Sequence, residues 1–170
     1  MPIVGIDPGT TNTGLVYMDE GYRVLCAKTV SVKGAIKHDQ DALRARGEAI
    51  AARVADWLAD KPRDAVVIEG FVTFPSRQNA YTYQTPYLCG YLQRALREEN
   101  LIVQTSAAVL NPRARGSMAQ LFRDLTEGRE TFVKEQRLLT NEHLRSAACH
   151  AAYYLVNKEK REQLCIQTKS

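Results

Sequence analysis

Two acidic residues stand at the ends of two apolar segments. Asp7 ends the run IVGID at residues 3–7, and Glu69 ends the run AVVIE at residues 65–69. If both runs are buried strands, their carboxyl ends lie where an α/β sheet places its functional crevice. Two desolvated carboxylates brought together repel each other, and a bound Mg²⁺ or Mn²⁺ relieves that repulsion. The pair therefore predicts a divalent-cation site. The alternative is two strand-end acids that face water.

The stretch around Asp7 and two later segments share a pattern with a known family. Residues 5–14 read GIDPGTTNTG, residues 67–69 read VIE, and residues 143–147 read HLRSA. In order and spacing they resemble the motifs of RuvC-type Holliday junction resolvases. That family has an Asp before Pro-Gly in its first motif, and an Asp or His three residues before an Asp in its last. The resemblance covers nearly the whole chain, and the combination of short motifs is its specific part.

The resemblance implies a fold, an activity and a set of site residues. The family has a ribonuclease H-like fold, usually acts as a homodimer, and makes paired nicks in four-way DNA junctions with Mg²⁺ or Mn²⁺. Carried over, Asp7, Glu69 and His143 become metal ligands, with two ions expected per site. His143 is also a candidate for delivering a proton near the attacking water. The implied reaction is hydrolysis of a DNA phosphodiester in recombination and repair.

Position 146 departs from the family pattern. The last acid of the third motif would stand there, but the sequence has Ser146, whose neutral hydroxyl is a poor ligand for a hard cation. Three interpretations stay open: the nuclease is weakened or inactive, Glu142 reaches the site from one turn earlier, or His150 joins it from one turn later. The other interpretation of Glu142 is a solvated residue that suits the helix dipole, and that of His150 is a helix-packing residue.

Charge is distributed unevenly along the chain. Residues 1–75 carry 9 Lys and Arg against 10 Asp and Glu, whereas residues 76–170 carry 14 against 9. A basic second half favours a polyanionic partner such as branched DNA. Phe71 and Phe74 are candidates for wedging between bases at a branch point, or for packing in the core or against a dimer partner. The candidates for phosphate contacts, with ordinary surface as the alternative, are Arg77, Arg113, Arg115, Arg123, Lys134 and Arg137.

Three other functions are compatible with the sequence. Residues 5–12 also resemble the first phosphate loop of the actin and heat-shock chaperone ATPases, although this chain has the length of one lobe and those proteins need two. A catalytically inactive junction-binding protein is the second, and Ser146 favours it. The third is a related nuclease that prefers flaps, forks or RNA hybrids.

Hydrophobic periodicity predicts the elements that must position these residues. The predicted strands cover residues 2–7, 13–19, 22–32, 65–69 and 101–106, and the predicted helices cover residues 42–60, 85–99, 117–126 and 141–158. A hairpin followed by alternating helices and strands indicates an α/β fold. We predict a ribonuclease H-like mixed five-stranded sheet flanked by helices on both faces, in a single nuclease domain over residues 1–170.

Local signals set the predicted boundaries. Glu20 and Gly21 predict the turn of the hairpin, and Asp41 predicts the N-cap of the first helix. Lys61-Pro62 predicts the end of that helix. Thr85-Pro86 predicts the N-cap and first residue of the next helix.

Composition bounds the class of protein. The chain has 170 residues, 45% of them hydrophobic, so we expect a folded protein. No apolar run approaches the roughly 20 residues that a membrane span needs. The N-terminus has no basic region and carries Asp7, which argues against a signal peptide. The four cysteines form no C-x-x-C pair, and we expect reduced thiols in a cytoplasmic protein.

Overall fold

The fold is built on a mixed sheet, seen in a computed structural model. The structure describes residues 1–33, 39–70, 84–97, 100–105 and 117–167. For residue 105 and residues 161–167 it describes the backbone but not the side chains. The strands are β1 (Ile3–Asp7), β2 (Asn12–Met18), β3 (Val24–Ser31), β4 (Ala65–Gly70) and β5 (Leu101–Thr105). They lie in the order β3-β2-β1-β4-β5. β1 to β3 pair antiparallel, whereas β1, β4 and β5 run parallel. The predicted mixed five-stranded sheet is confirmed.

Helices cover both faces of this sheet. They are α1 (Gln40–Leu58), α2 (Gln84–Leu96), α3 (Ser117–Thr126) and α4 (Glu142–Gln167), with a short 3-10 turn at Gln136–Leu138. One apolar cluster joins α1 and α2 to the sheet and includes Val4, Ile6, Ile50, Leu88 and Leu92. The other joins α3 and α4 to the opposite face and includes Ile3, Val16, Leu121, Ala147 and Ala151. The prediction of helices on both faces is confirmed.

The alternation of side chains along β1 fixes the direction of Asp7. Ile3 packs on the α3–α4 side, and Val4 and Ile6 pack on the α1–α2 side. Because successive strand residues point to opposite faces, Asp7 lies on the α4 side. The same alternation along β4 puts Glu69 on that side, since Ala65 packs there and Val66 does not.

Glycines let α4 lie directly on the sheet. A Cβ on Gly5 would overlap with the carbonyl group of Ala147, and one on Gly14 would overlap with the backbone of His143. Strands β1 and β2 therefore approach the first turns of α4 at backbone distance. This approach brings the His143 end of the helix next to the end of β1.

Several predicted helix boundaries were wrong, by two to nine residues. Asp39, and not Asp41, is the N-cap of α1, because its side chain accepts a hydrogen bond from the backbone N–H of Asp41 at 3.1 Å. α2 begins at Gln84, so Thr85 is inside the helix rather than its cap. Pro86 is tolerated there because the first four N–H groups of a helix lack partners within it. The last helix continues to Gln167, nine residues past its predicted end.

Two further features of the described residues concern membrane spans and cysteine thiols. Within the described residues, no helix is both long and apolar enough to cross a membrane. Cys26, Cys89 and Cys149 are free thiols. Burial raises the pKa of Cys89 to about 11 and that of Cys149 to about 12, so both stay protonated at neutral pH.

Candidate active site

Three polar side chains lie in a row across the parallel strands. β1 and β4 are in register at Ile6 and Ile68, so Asp7 and Glu69 follow side by side. Glu69 pairs in turn with Gln104 on β5. All three residues stand at the carboxyl ends of their strands, where open α/β sheets form functional crevices. We call Asp7, Glu69 and Gln104 the sheet row.

A second row on α4 faces the sheet row. His143, Ser146 and His150 are spaced by three and four residues, which places them on one side of a helix. Asn141 fixes where this helix begins: its Oδ1 accepts from the N–H of Leu144 at 3.0 Å, and its Nδ2 donates to Thr29 Oγ1 at 2.9 Å. We call His143, Ser146 and His150 the helix row.

The first two residues of the helix row each contact one residue of the sheet row. Nδ1 of His143 lies 2.9 Å from Oδ2 of Asp7. Oγ of Ser146 donates to Oε2 of Glu69, also at 2.9 Å. These contacts span 136 and 77 residues of sequence, so they exist only because the fold brings α4 onto β1 and β4. The candidate catalytic residues Asp7, Glu69, His143 and Ser146 therefore lie together.

His150 closes the helix row in the interior of the protein. Its side chain is fully buried. Nε2 lies 3.4 Å from Oε2 of Glu69, and Nδ1 lies 3.2 Å from Oε1 of Gln104. His150 thus reaches the site, as one of the three sequence interpretations allows. Glu142 is instead exposed at the first residue of α4.

The electrostatics of the site centre on Asp7. Burial raises the pKa of Asp7 from 3.8 to about 6, and the charge of Glu69 adds to the rise, although the hydrogen bond with His143 opposes it. The same hydrogen bond raises the pKa of His143 above 6.5, and the charges of Asp7, Glu142 and Glu69 act in the same direction. Asp7 and His143 each therefore keep a proton to a higher pH than the free side chain would.

The loop that follows Asp7 is held from both sides. Oγ1 of Thr13 donates to the carbonyl of Gly9 at 3.0 Å. Nη1 of Arg46 on α1 donates to the carbonyls of Thr10 at 3.0 Å and Val32 at 2.9 Å. A Cβ on Gly9 would overlap with the carbonyl of Asn12 and lie 3.1 Å from the His143 ring. This packing fixes the backbone next to Asp7 and the ring that contacts it.

The donor set fits one hard divalent cation. Asp7 and Glu69 supply two carboxylates, and Mg²⁺ is commonly bound by one or two carboxylates together with water and substrate phosphates. Burial raises the pKa of Asp7 and the charge of Glu69 adds to the rise, and a bound cation would offset both effects. Among the described residues, no group of three Asp, Glu, His or Cys side chains is arranged to hold a metal. Ser146 stands where the resemblance implies a further acid.

The predicted DNA contacts are only partly within the described structure. Phe71, Phe74, Arg77, Arg113 and Arg115 lie outside the described residues.

The remaining basic candidates are on the surface. Arg123 is exposed on α3 and donates to Oε1 of Gln120 at 2.7 Å. Lys134 is exposed, and Arg137 is paired with Glu135 at 3.0 Å. These are long side chains in water, which is compatible with phosphate contacts and equally with ordinary surface.

Gln104 was missed by the sequence reasoning. The run LIVQT over β5 reads as a strand, but a single Gln near the end of a strand carries no chemical signal by itself. Its pairing with Glu69 would have followed from the strand order and register. The alternation of β5 puts Ile102 and Gln104 on the same face, which was the available clue.

Comparison with known proteins finds a likeness in structure. No family model matches the sequence, and no curated protein matches it. A structure of RuvC from Thermus thermophilus in complex with a Holliday junction substrate matches with a TM-score of 0.67 and 22% identity, over 94% of this chain and 96% of that chain. A second Thermus thermophilus RuvC structure matches with a TM-score of 0.63 and 21% identity, over 94% and 97%. The chain has the ribonuclease H-like fold of these proteins, as its motifs predicted.

Proposed function

We propose that this protein is a metal-dependent endonuclease that resolves four-way DNA junctions by paired nicks. The observation that carries the proposal is the meeting of two acids, Asp7 and Glu69, with His143 and Ser146 of α4 at the carboxyl ends of β1 and β4. Support comes also from the fold, which is shared over 94% of the chain with a RuvC protein solved on a Holliday junction substrate. The donor set favours hydrolysis assisted by a hard cation.

The proposed metal ligands are Asp7 and Glu69, with His143 at the edge of the same site. Bound Mg²⁺ or Mn²⁺ would lower the pKa of a water and stabilise charge on the phosphodiester. The resemblance implies two ions, and Ser146 would leave the second one with fewer ligands.

His143 has a proposed role in proton transfer. Its Nδ1 contacts Oδ2 of Asp7 at 2.9 Å, and this contact raises the pKa of the ring. An imidazole that keeps its proton close to neutral pH can donate it to a leaving oxygen. The other proposed role, as a metal ligand, needs the neutral ring. The contact with Asp7 favours the proton role.

The proposed substrate, a four-way junction, bears on the oligomeric state of the protein. A four-way junction is resolved by two nicks on opposed strands, which requires two active sites, so we propose a homodimer. Phosphates would be neutralised by the basic second half of the chain, including Arg123, and binding would weaken as salt rises. Phe71 and Phe74, close to Glu69 in sequence, are the proposed wedges at the branch point.

Cleavage of a labelled four-way junction tests the proposal. The protein is incubated with the junction, and with a linear duplex of the same sequence, in Mg²⁺, in Mn²⁺ and in excess chelator. We expect symmetric nicks in the junction only, and only with a metal. Tight junction binding without nicks in either metal would reject the nuclease. A panel of flaps, forks and RNA hybrids then defines the range of substrates.

A junction-binding protein without nuclease activity is the second candidate. The specific observation in its favour is the hydrogen bond of Ser146 to Glu69, which occupies an oxygen of Glu69 and provides no further acid. Binding would then depend on the basic surface and not on a metal. The cleavage experiment separates the two candidates, because this one binds junctions and makes no nicks in Mg²⁺ or in Mn²⁺.

A further inference from the structure

His150 is a fully buried polar residue to which the proposed mechanism assigns no step. It lies on the same side of α4 as His143 and Ser146, at the inner end of the helix row. A buried imidazole is costly unless both ring nitrogens have partners. Here the two possible partners are Glu69 and Gln104, both members of the sheet row.

The contacts of His150 are asymmetric. Nδ1 is 3.2 Å from Oε1 of Gln104. Nε2 is 3.4 Å from Oε2 of Glu69 but makes no aligned hydrogen bond with any described residue. A ring nitrogen with no access to water thus lies against a carboxylate oxygen that already accepts from Ser146. A small rotation of either side chain would align Nε2 of His150 with this oxygen of Glu69 and shorten the 3.4 Å distance to that of a hydrogen bond.

The chemistry of the three groups selects one arrangement of protons. If Gln104 presents its oxygen, Nδ1 must carry the hydrogen, and the bare Nε2 of a neutral ring then faces an oxygen of Glu69, acceptor against acceptor. If Gln104 presents its amide nitrogen, that nitrogen donates to Nδ1, and Nε2–H donates to Glu69. The two ends of an amide are assigned from their hydrogen bonds, and for a neutral ring only the second arrangement satisfies all three groups.

We infer that His150 is a positioning residue for Glu69. In this inference, which rests on the proposed function, the Gln104 amide donates to Nδ1 of His150, and Nε2–H of His150 donates to Oε2 of Glu69. With Ser146, His150 gives this oxygen a second donor and holds the carboxylate beside Asp7. Groups that orient a metal-binding carboxylate in this way set metal affinity without touching the metal.

The arrangement of the sheet row and the helix row explains how the buried His150 can act on the site. Gln104 and Glu69 are paired between adjacent strands, and His150 bridges them from the helix. Glu69 is therefore held from α4 at two points, Ser146 and His150, one turn apart. A carboxylate without the second donor can turn about its side-chain bonds, which would separate it from Asp7.

Three variants and one spectrum test the inference. His150→Leu removes the donor. His150→Gln keeps an N–H close to the position of Nε2. Leu155→Ala is the control, because Leu155 is a buried core residue on the same helix and its truncation destabilises the protein without touching Glu69. Mn²⁺ affinity is measured by electron paramagnetic resonance without DNA, and melting temperature is recorded for each variant.

We expect His150→Leu to weaken Mn²⁺ binding by about 10- to 100-fold, and His150→Gln to stay within about threefold of wild type. Leu155→Ala should lower the melting temperature and leave Mn²⁺ affinity unchanged. Equal Mn²⁺ affinity in wild type and His150→Leu would overturn the inference, as would an equal loss in all three variants.

A nitrogen-resolved spectrum of the metal-free wild-type protein tests the arrangement directly. The imidazole ¹⁵N shifts of His150 should show Nε2 protonated and Nδ1 unprotonated. A ring protonated at Nδ1, alone or together with Nε2, would contradict the inference. This measurement needs neither metal nor DNA, so a wild-type protein that fails to cut junctions would reject the proposed function and leave the tautomer result to decide on His150.

Discussion

Ser146 donates a hydrogen bond from its Oγ to Oε2 of Glu69 at 2.9 Å. Ser146 is 5% exposed, so water cannot easily replace this contact. A hydroxyl satisfies a lone pair of the carboxylate, whereas a second acid at position 146 would repel it. The hydroxyl therefore favours the metal-free site, and the missing acid weakens the hold on a cation. The residue at position 146 therefore sets the balance between the stability of the metal-free site and its affinity for a cation.

Ser146→Asp should reverse that balance. The variant loses a donor to Glu69 and adds a like charge, so the metal-free protein should lose about 1–3 kcal/mol of unfolding free energy at neutral pH. With Mn²⁺ the new carboxylate becomes a ligand, and both Mn²⁺ affinity and junction cleavage should rise about tenfold or more. Urea denaturation in chelator, Mn²⁺ titration and a cleavage assay measure the three effects.

Ser146→Asn is the control for that variant, because it has the shape of Asp without the charge. It should not raise cleavage. If Ser146→Asp cuts no faster than wild type, position 146 does not face the metal, and Glu142 would be the residue to test next. A rise in both variants would assign the effect to side-chain size.

The stability of the metal-free protein should depend on Asp7 in a pH-dependent way. The pKa of Asp7 is raised from 3.8 to about 6, so the folded state holds this proton more tightly than the unfolded chain does. Stability is therefore lost as pH rises from about 4 through about 6, with the full loss above that range, and the shift corresponds to roughly 2–3 kcal/mol. In chelator, Asp7→Asn should be more stable than wild type by this amount at pH 7.5 and equal to it at pH 4. Urea denaturation at the two pH values measures the gap, and a gap that does not change with pH would refute the prediction.

Gly5→Ala should destabilise the protein through the contact of β1 with α4. A methyl group at this position would overlap with the Ala147 carbonyl, and backbone cannot move aside as a flexible side chain can. We expect a loss of about 1–3 kcal/mol of unfolding free energy or more. Gly90→Ala is the matched control: no atom of the described residues lies within 4 Å of a Cβ there, and Gly90 is inside α2. The control should be neutral or raise stability by up to about 1 kcal/mol. Equal losses in both variants would argue against close packing at Gly5.

The sequence predicted those parts of the site that depend on local patterns, such as an apolar run or helical spacing. Two apolar runs that end in an acid predict buried strands, and the parallel arrangement of β1 and β4 puts Asp7 and Glu69 side by side. The spacing of His143 and Ser146 predicts one side of a helix, which is where both lie.

Other features depend on contacts between distant parts of the chain. Gln104 and His150 are 46 residues apart, and their contact requires both the β4–β5 register and the rotation of α4. The cap at Asp39 was missed for a local reason, since Asp39 and Asp41 are equally suitable by type and only the backbone angles distinguish them.

Cleavage of a labelled four-way junction by wild type and by Asp7→Asn, measured together with junction binding, decides whether Asp7 holds the metal of a junction nuclease. The variant removes a proposed metal ligand and leaves the proposed phosphate contacts in place. We expect metal-dependent nicks by wild type, loss of nicking by at least about a thousandfold in Asp7→Asn, and junction affinities of the two proteins within about threefold of each other. Nicking by Asp7→Asn at the wild-type rate would contradict the assignment of the site.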